Sequence, residues 1–571
     1  MKDYSDWRPI LDYEIESPYI ENPNRPWLKH RPPTVPKSIR FDPIPISEFI
    51  KQSAREFPNN VCIIDKKNDK KYTYRELIYY ADKIANALND LGIKKGDFVG
   101  IMSINCPEFV FTWLGILSTG ATVVPINSLL NDSDVTHIVR ETGNINVIFV
   151  HKSNYRIIKK TRSQVNVEHV IVLGAEQARD DAITLEDFIE DKVSKAPDID
   201  IDPENDTAAL MFTGGTTGLP KGVMLTHNNL VHDLLIAMFN TEDTFEEMNA
   251  RKGKETSLGI LPLCHVMGHE ALIWQLYGAA TIIMFPFNPS EVLEAIEHYK
   301  PRIFAGVPVM YQMLINNPDF TERDLSSLDT AATGSAALAP ELAKKWEEVV
   351  GFKVSQGFGL TEATAFTHGA TLWMPEIKPE SIGIPDIDTD CIIVNPETLE
   401  ELPPGEVGEM LIKGPQIMKG YLKQPEATKR DIVNGWLRTG DLARMDEDGY
   451  FYIEGRTKDM IKYKSYKVMA KEVEMKLMEH PAILECGVVG VPDPIIGETI
   501  KAFVVLKSDY QDGKVTEKDI IEWAKERLAG YKYPRKVEFI RTLPRTAVGK
   551  PFRRKLREME AEKREKSVSP L

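Results

Sequence analysis

The sequence predicts an α/β protein: a large N-terminal domain of parallel α/β sheets plus a β-rich subdomain, followed by a small α+β C-terminal domain. Three observations predict it. From about Ile46 amphipathic helical stretches alternate with short apolar, β-rich runs, which implies βαβ units and mostly parallel sheet. After about Leu402 the texture changes to short segments separated by turn signals, including Pro403-Pro-Gly, Asn434-Gly and Asp448-Gly, which suits antiparallel strands. The length, 571 residues, exceeds the roughly 100 to 200 residues of one ordinary domain, so a boundary is expected.

Taken in order, the first 45 residues carry Pro32, Pro33, Pro36, Pro43 and Pro45 and no sustained period, and read as an extended arm lying on a larger body. The apolar runs follow at 98–102, 107–117, 121–125, 147–150 and 170–173, and the rhythm continues through 281–285, 302–305 and 330–333. Segment 271–287 is the most apolar window, yet it is shorter than the roughly 20 residues of a spanning helix. It also contains Gln275, Gly278 and Pro286, and reads as a buried helix followed by a strand, with no transmembrane segment expected. Beyond Arg456 a compact pattern appears: helix over 470–479, strands 486–491 and 500–506, helix 517–528 and strand 536–540. The boundary is placed near Lys458, giving domains 1–457 and 458–571, with the arm at 1–45 and the β-rich subdomain at about 402–457 inside the first. Segment 551–566, dense in Arg, Lys and Glu, reads as a solvated terminal helix.

Composition narrows the function. Lys plus Arg number 70 against 85 Asp plus Glu, a net charge of −15, which argues against a broad electrostatic hold on nucleic acid. Hydrophobic residues at 42% and charged residues at 27% suit an ordinary globular protein with a sizeable core. The five cysteines, Cys62, Cys106, Cys264, Cys391 and Cys486, lie far apart with no C-x-x-C pair, which fits a reduced compartment. The start has no basic region leading into an apolar stretch, so no secretory leader is expected and a cytoplasmic location is.

The sharpest feature is Thr213-Gly-Gly-Thr-Thr-Gly-Leu-Pro-Lys-Gly-Val223, directly after the apolar run 208–212. Thr213, Gly214, Gly215, Thr216, Thr217, Gly218 and Lys221 bring hydroxyls, backbone N–H groups and a cation together with little Cβ obstruction, the composition of a phosphate-handling loop. It is not a Walker A sequence, because Leu219 and Pro220 precede the lysine and Gly222 follows it, and it is not G-x-G-x-x-G.

This loop closely resembles the signature of the adenylate-forming superfamily, which includes acyl-CoA synthetases, aryl-CoA ligases, firefly-type luciferases and the adenylation domains of peptide synthetases. Further motifs stand in the family's order. Gly357-Phe-Gly-Leu-Thr-Glu362 resembles its second core motif, Trp436-Leu-Arg-Thr-Gly-Asp441 the third, Gly455-Arg-Thr-Lys-Asp459 the hinge motif and Pro544-Arg-Thr-Ala-Val-Gly-Lys550 the terminal one, so the resemblance spans nearly the whole chain. It implies ATP, Mg2+ and coenzyme A as the cofactor and co-substrates, and a carboxylic acid as the group activated.

A carboxylate is ionised near pH 7 and needs no base to attack the α-phosphorus of ATP, so neutralising charge is the main task. The resemblance gives Glu362 to Mg2+, with Thr361 near the phosphate. It gives Asp441 to the ribose hydroxyls, which suit an acceptor-only carboxylate, with Arg456 supporting the same sugar. Gly334, Ser335 and Ala336 resemble the segment against adenine, and Gly357, Phe358 and Gly359 belong to the nucleotide motif. Lys550 is implied to reach the carboxylate and α-phosphate in the first half-reaction. Lys458 matches the hinge about which a mobile C-terminal domain rotates to admit the thiol. Three positions depart from the family pattern: Gly214 where many relatives carry Ser, Phe358 where Tyr is common, and Ser465 where Gly is usual, in the loop by the CoA tunnel.

Leu261-Pro-Leu-Cys-His-Val-Met-Gly-His-Glu270 resembles the segment bordering the acyl site, and His265 fits its motif. His269-Glu270 is not a zinc motif, because H-E-x-x-H needs a histidine where Ile273 stands. Arg25-Pro-Trp-Leu-Lys resembles fatty acyl-CoA synthetases, so a medium- or long-chain fatty acid is the first choice. A ligase for a short, hydroxylated or aromatic acid, or one loading a separate carrier protein, stays open, as do a nucleotide-binding protein without turnover and a homodimer. No fused carrier domain is expected after Lys550.

Overall fold

The computed structural model describes the chain apart from residues 1–3, 5, 144, 179–180, 214–219, 240–243, 337, 371–373, 375, 379, 465, 494–496, 512, 546–551 and 569–571, and the side chains of 467 and 564–568. Its centre is an eight-stranded sheet in the order Gly420–Tyr421, Gly222–Thr226, Thr207–Phe212, Thr122–Ile126, Phe98–Met102, Val147–His151, His169–Leu173, Ile183–Thr184. From Thr207–Phe212 to Ile183–Thr184 every neighbouring pair is parallel, as the helix and strand alternation predicts. The apolar run 107–117 is a helix, Pro107–Leu117, buried in all its residues but Glu108. A helix that is apolar all round belongs inside a core.

That core lies between the eight-stranded sheet and a four-stranded one ordered Thr256–Leu258, Thr281–Met284, Val61–Asp65, Lys70–Thr73. Trp113 and Phe109 are fully buried in it, and each large side chain so buried is worth about 1.5 to 3 kcal/mol. The window 271–287 divides as expected, into the end of helix Val266–Tyr277 and strand Thr281–Met284. Among the described residues no helix is long and apolar enough to cross a membrane.

A three-stranded parallel sheet, Ile303–Gly306, Thr330–Thr333 and Ser355–Gln356, carries the next helices. A five-stranded antiparallel sheet follows, from Asp390–Val394 through Gly408–Lys413 to Trp436–Met445, which also pairs with Ile432–Val433 and with Phe451–Arg456. Its first strand precedes the turn signals that begin at Pro403. The last sheet joins Met460–Tyr463, Tyr466–Met469, Ile483–Asp493, Gly497–Leu506 and Lys536–Phe539, with cores on both faces. Val488 and Val504 face one core while Val489 and Val505 face the other, the period of two that strands impose.

The arm is pinned to the five-stranded sheet. Arg25 Nε lies 2.9 Å from Asp390 Oδ1, and Ser38 Oγ and Ile39 N donate to Asp388 at 2.7 and 2.8 Å. Trp27, fully buried, meets Phe451 edge-on at 5.6 Å. Gly449, at φ +89°, lies so close to the Trp27 backbone that a Cβ there would stand 2.5 Å from its nitrogen. Short elements form within the arm, Ile10–Asp12 pairing antiparallel with Ser38–Arg40.

Candidate active site

The glycine-rich loop joins two antiparallel strands, Thr207–Phe212 and Gly222–Thr226, with Phe212 opposite Gly222 and Thr213 N donating to Lys221 O at 3.1 Å. The strands on either side of it are therefore paired as a hairpin, and a strand, not a helix, follows at Gly222. Gly214, Gly215, Thr216, Thr217 and Gly218 lie outside the described residues, as do Ser465 and Lys550. Lys221 places its ammonium 4.0 Å above the Tyr421 ring and 3.4 Å from Asp431.

Tyr421 links that hairpin to the second motif. Gly420–Tyr421 pairs with Gly222–Thr226 at the sheet edge, and the Tyr421 hydroxyl donates to Glu362 Oε1 at 3.0 Å. Glu362 O accepts from Met418 N at 2.9 Å, so both ends of the residue are fixed. Desolvation pushes the Glu362 carboxyl above its ordinary value, opposed by a backbone N–H, the Tyr421 hydroxyl and the charges of Arg456 and Lys221. Thr361 opens the short 3-10 turn Thr361–Ala363 that carries it. The chain folds tightly before that turn: a Cβ on Gly359 would overlap the Ala365 carbonyl oxygen.

The strand ends bring the adenine candidates beside this turn. Thr333 pairs with Gln356, and Gly357 N donates to Thr333 O at 2.9 Å, so Gly334 and Gly357 leave the carboxyl ends of adjacent parallel strands. Carboxyl ends of parallel strands are where α/β sheets open ligand crevices. Ser335 takes φ +70°, and a Cβ on Gly334 would come no closer to its neighbours than 3.7 Å, at Gly357 O, with the Met267 methyl at 3.8 Å. Ala336 is exposed. Phe358 N donates to His368 O at 2.9 Å, and its ring meets the His368 ring edge-on at 6.1 Å.

Asp441 and Arg456 are direct cross-strand partners, with Arg456 Nε 2.9 Å from Asp441 Oδ1. Asp441 is 3% exposed, and the glycine before it takes φ +69°. The Arg456 guanidinium is held charged by Asp441 first, then by Asp459 and Glu362. Lys458 is exposed in the 3-10 turn Thr457–Asp459 that follows.

His265 caps helix Val266–Tyr277, its Nδ1 accepting from Met267 N at 3.4 Å. Four residues on, His269 is fully buried, accepts from Trp113 Nε1 at 2.8 Å through Nε2, and stands 3.6 Å from Glu270 Oε1 through Nδ1. Burial holds its pKa down to about 3, so the ring is neutral. Burial, with the neighbouring Asp233 charge, pushes the Glu270 carboxyl well above its ordinary 4.5. Such a group binds a proton in the folded chain that the unfolded chain has released, so it costs stability as pH rises above about 4.5 and towards its folded value. Glu270→Gln keeps the shape without the titration and is expected to flatten the fall of melting temperature as pH rises above about 4.5. Parallel melting profiles for the two proteins contradict this.

Tyr421, Asp431 and Asp459 were not singled out as site residues, although Tyr421 and Asp431 each contact one, Glu362 and Lys221, and the Asp459 charge acts on Arg456. Only Asp459 carried a signal, its place at the end of the hinge motif. Among the described residues no group of three or more His, Cys, Asp or Glu side chains is arranged to hold a metal ion. Glu362 offers a single carboxylate, and Mg2+ keeps several waters and is commonly held by one or two carboxylates together with substrate phosphates.

The AMP-binding enzyme family matches residues 50–422, and the AMP-binding enzyme C-terminal domain matches residues 472–550. The chain belongs to the AMP-binding enzyme family. Within it, the chain is 37% identical over 565 residues to a long-chain-fatty-acid–CoA ligase of Bacillus subtilis, covering 94% of this chain and 98% of the relative. It is 33% identical to 4-coumarate–CoA ligase 2 of Solanum tuberosum, covering 90% and 93%. An anthranilate CoA ligase solved in complex with anthranoyl-AMP superposes with a TM-score of 0.81 at 29% identity, covering 91% of this chain and 98% of that one. For this AMP-binding enzyme the mixed α/β architecture expected from sequence is the family's own.

Proposed function

We propose that the chain is an AMP-forming acyl-CoA synthetase that converts a medium- or long-chain fatty acid to acyl-AMP, releasing pyrophosphate, and then transfers the acyl group to CoA, releasing AMP. The observation that carries this is the convergence of Lys221, Glu362, Asp441 and Arg456 through Tyr421 and the Asp441–Arg456 pair, on a chain 37% identical to a long-chain-fatty-acid–CoA ligase. The aromatic-acid ligases among its relatives keep an aromatic substrate as the second reading.

In this reading the hairpin loop Thr213, Gly214, Gly215, Thr216, Thr217 and Gly218 surrounds the ATP phosphates, with Lys221 adding charge at its base. Gly334, Ser335, Ala336, Gly357, Phe358 and Gly359 make the adenine wall, with room for a flat base beside Gly334, where a Cβ would stand 3.7 Å from its nearest neighbour. Asp441 accepts from the ribose hydroxyls, and Arg456 holds its carboxylate in place while facing Glu362. Glu362, in the turn Thr361–Ala363, is the residue that would hold Mg2+, whose charge would offset that of the phosphates, with Thr361 near the phosphate. Lys550 brings its ammonium to the attacking carboxylate and the α-phosphate. His265, the N-cap of the helix bordering the acyl site, is the candidate catalytic histidine of that segment.

The proposed division at 457/458 makes Lys458 the hinge, since a domain rotation is absorbed at a few backbone torsions. Lys458→Pro fixes φ there and is expected to slow thioester formation more than adenylation. Equal losses in both steps, followed as acyl-AMP and acyl-CoA, contradict the hinge. A cytoplasmic enzyme is proposed, with the homodimer tested by light scattering. The function itself is tested by AMP release from ATP and Mg2+ over acids of graded length, with and without CoA. Release that needs both acid and CoA and peaks at a medium or long chain is expected. Release unchanged by CoA turns the reading toward a carrier-protein acceptor, and a peak on aromatic acids toward the second reading.

A further inference from the structure

Asp459 is 5% exposed at the end of the hinge turn and lies between two arginines from one helix, Arg553–Val568. Arg553 NH1 donates to its Oδ2 at 3.2 Å and Arg557 NH2 to its Oδ1 at 2.9 Å. Arg557 NH2 also donates to the Lys458 carbonyl at 3.3 Å, so the same helix grips side chain and backbone of the turn. Arg553 is held a second time by Glu474 of helix Ala470–Met478, through Nε at 3.1 Å and NH2 at 2.6 Å.

This helix begins where the terminal motif ends. Phe552 N donates to Pro544 O at 2.8 Å and closes the base of the segment that carries Lys550, and Arg545 pairs with Glu485 on its other side. Arg553 stands next to that closure and three residues beyond Lys550. The hinge turn is thus tied by charge-assisted hydrogen bonds to Arg553, which follows directly on Phe552 at the base of the lysine segment. Such bonds hold geometry more firmly than neutral ones.

We infer that Asp459, clamped by Arg553 and Arg557, is a positioning residue for the first half-reaction: it ties the hinge turn to helix Arg553–Val568, and through Phe552 and Pro544 to the two described ends of the segment that carries Lys550. The inference rests on the function proposed for Lys550 and Lys458. A misplacement of about 1 Å at a reacting centre can cost about 10²-fold, so loosening the clamp is expected to be felt in the step that uses the lysine.

The test is Asp459→Asn, alone and together with Lys550→Ala, in the full chain. Acyl-AMP formation is measured in single turnover, nucleotide binding by titration and fold by melting. The inference predicts adenylation slowed by about 10- to 100-fold with nucleotide affinity unchanged, and transfer from supplied acyl-AMP to CoA close to wild type. It also predicts that Asp459→Asn adds nothing once Lys550 is alanine, because it acts through that side chain. A variant that adenylates at wild-type rate, or loses the same factor in both backgrounds, overturns the inference. Lys550→Ala adenylating at wild-type rate would instead remove the reading beneath it. If Asp459→Asn does not fold, Arg557→Gln on the helix surface serves the same comparison, with about a fivefold loss restored by Arg557→Lys. No loss, or no restoration, counts against the clamp.

Discussion

Lys550→Ala is expected to lower the rate of acyl-AMP formation by about 10² to 10³ while leaving the melting temperature within a degree or two of the parent. The acid brings one negative charge to a polyanion, and the protein's cations decide the height of that barrier. Lys221 is committed to the Tyr421 face and to Asp431, and Arg456 to Asp441. The family resemblance gives a further cation, Lys550, on a segment whose described ends are joined by Phe552 N donating to Pro544 O. The fold does not depend on that side chain, because the sheet it follows has its cores in Val488, Ile500, Val504, Val489, Phe503 and Leu556. Rapid quench measurement of acyl-AMP checks the first half and calorimetry the second. Adenylate at the parent rate removes Lys550 from the chemistry.

Glu362→Gln is expected to cost a similar factor, about 10² to 10³ in adenylation, and to raise the Mg2+ concentration needed for half-maximal rate. The substitution keeps the acceptor for the Tyr421 hydroxyl at 3.0 Å and the backbone bond from Met418, so the turn should hold its shape. What it removes is the negative charge. The parent carboxyl is pushed up by desolvation but faces Arg456 and Lys221, both of which favour its ionised form. A Mg2+ titration of the adenylation rate separates the two effects. An unchanged Mg2+ dependence with a lower rate would place Glu362 near the reacting phosphate without a role for it as a metal ligand.

The sheets could be read from the sequence because strands and helices write different periods. Strand 98–102 is an apolar run bounded by Gly96 and Asn105, and helix Thr73-capped Tyr74–Asp90 shows both the capping pair Thr73 and Glu76 and a buried stripe at Leu77, Ala81, Ile84 and Leu88. The first strand of the antiparallel sheet, Asp390–Val394, was harder to place. Its DCIIV sequence stands before the Pro403 turn signal; it pairs antiparallel with Gly408–Lys413, while Asp390 and the nearby Asp388 bind the arm 365 and 350 positions away in the chain. The nucleotide motifs were legible one by one, since each is a local string. Their mutual contacts were not. Tyr421 reaches Glu362 across 59 positions, and Arg553 reaches Asp459 across 94, distances at which no local pattern survives. The hairpin around the glycine loop was likewise hidden, because its second strand, Gly222–Thr226, runs directly into the helix His227–Met238 through the Thr226 cap and so looks from sequence like the approach to a helix.

The most direct test of the account is a single turnover with enzyme in excess over a labelled twelve- to sixteen-carbon acid, quenched over time with ATP, Mg2+ and CoA present. Acyl-AMP should rise first and decay as acyl-CoA appears in equal amount, with one AMP formed for each thioester. Acyl-CoA formed with ADP and phosphate, or acyl-AMP that persists in the presence of CoA, would contradict it.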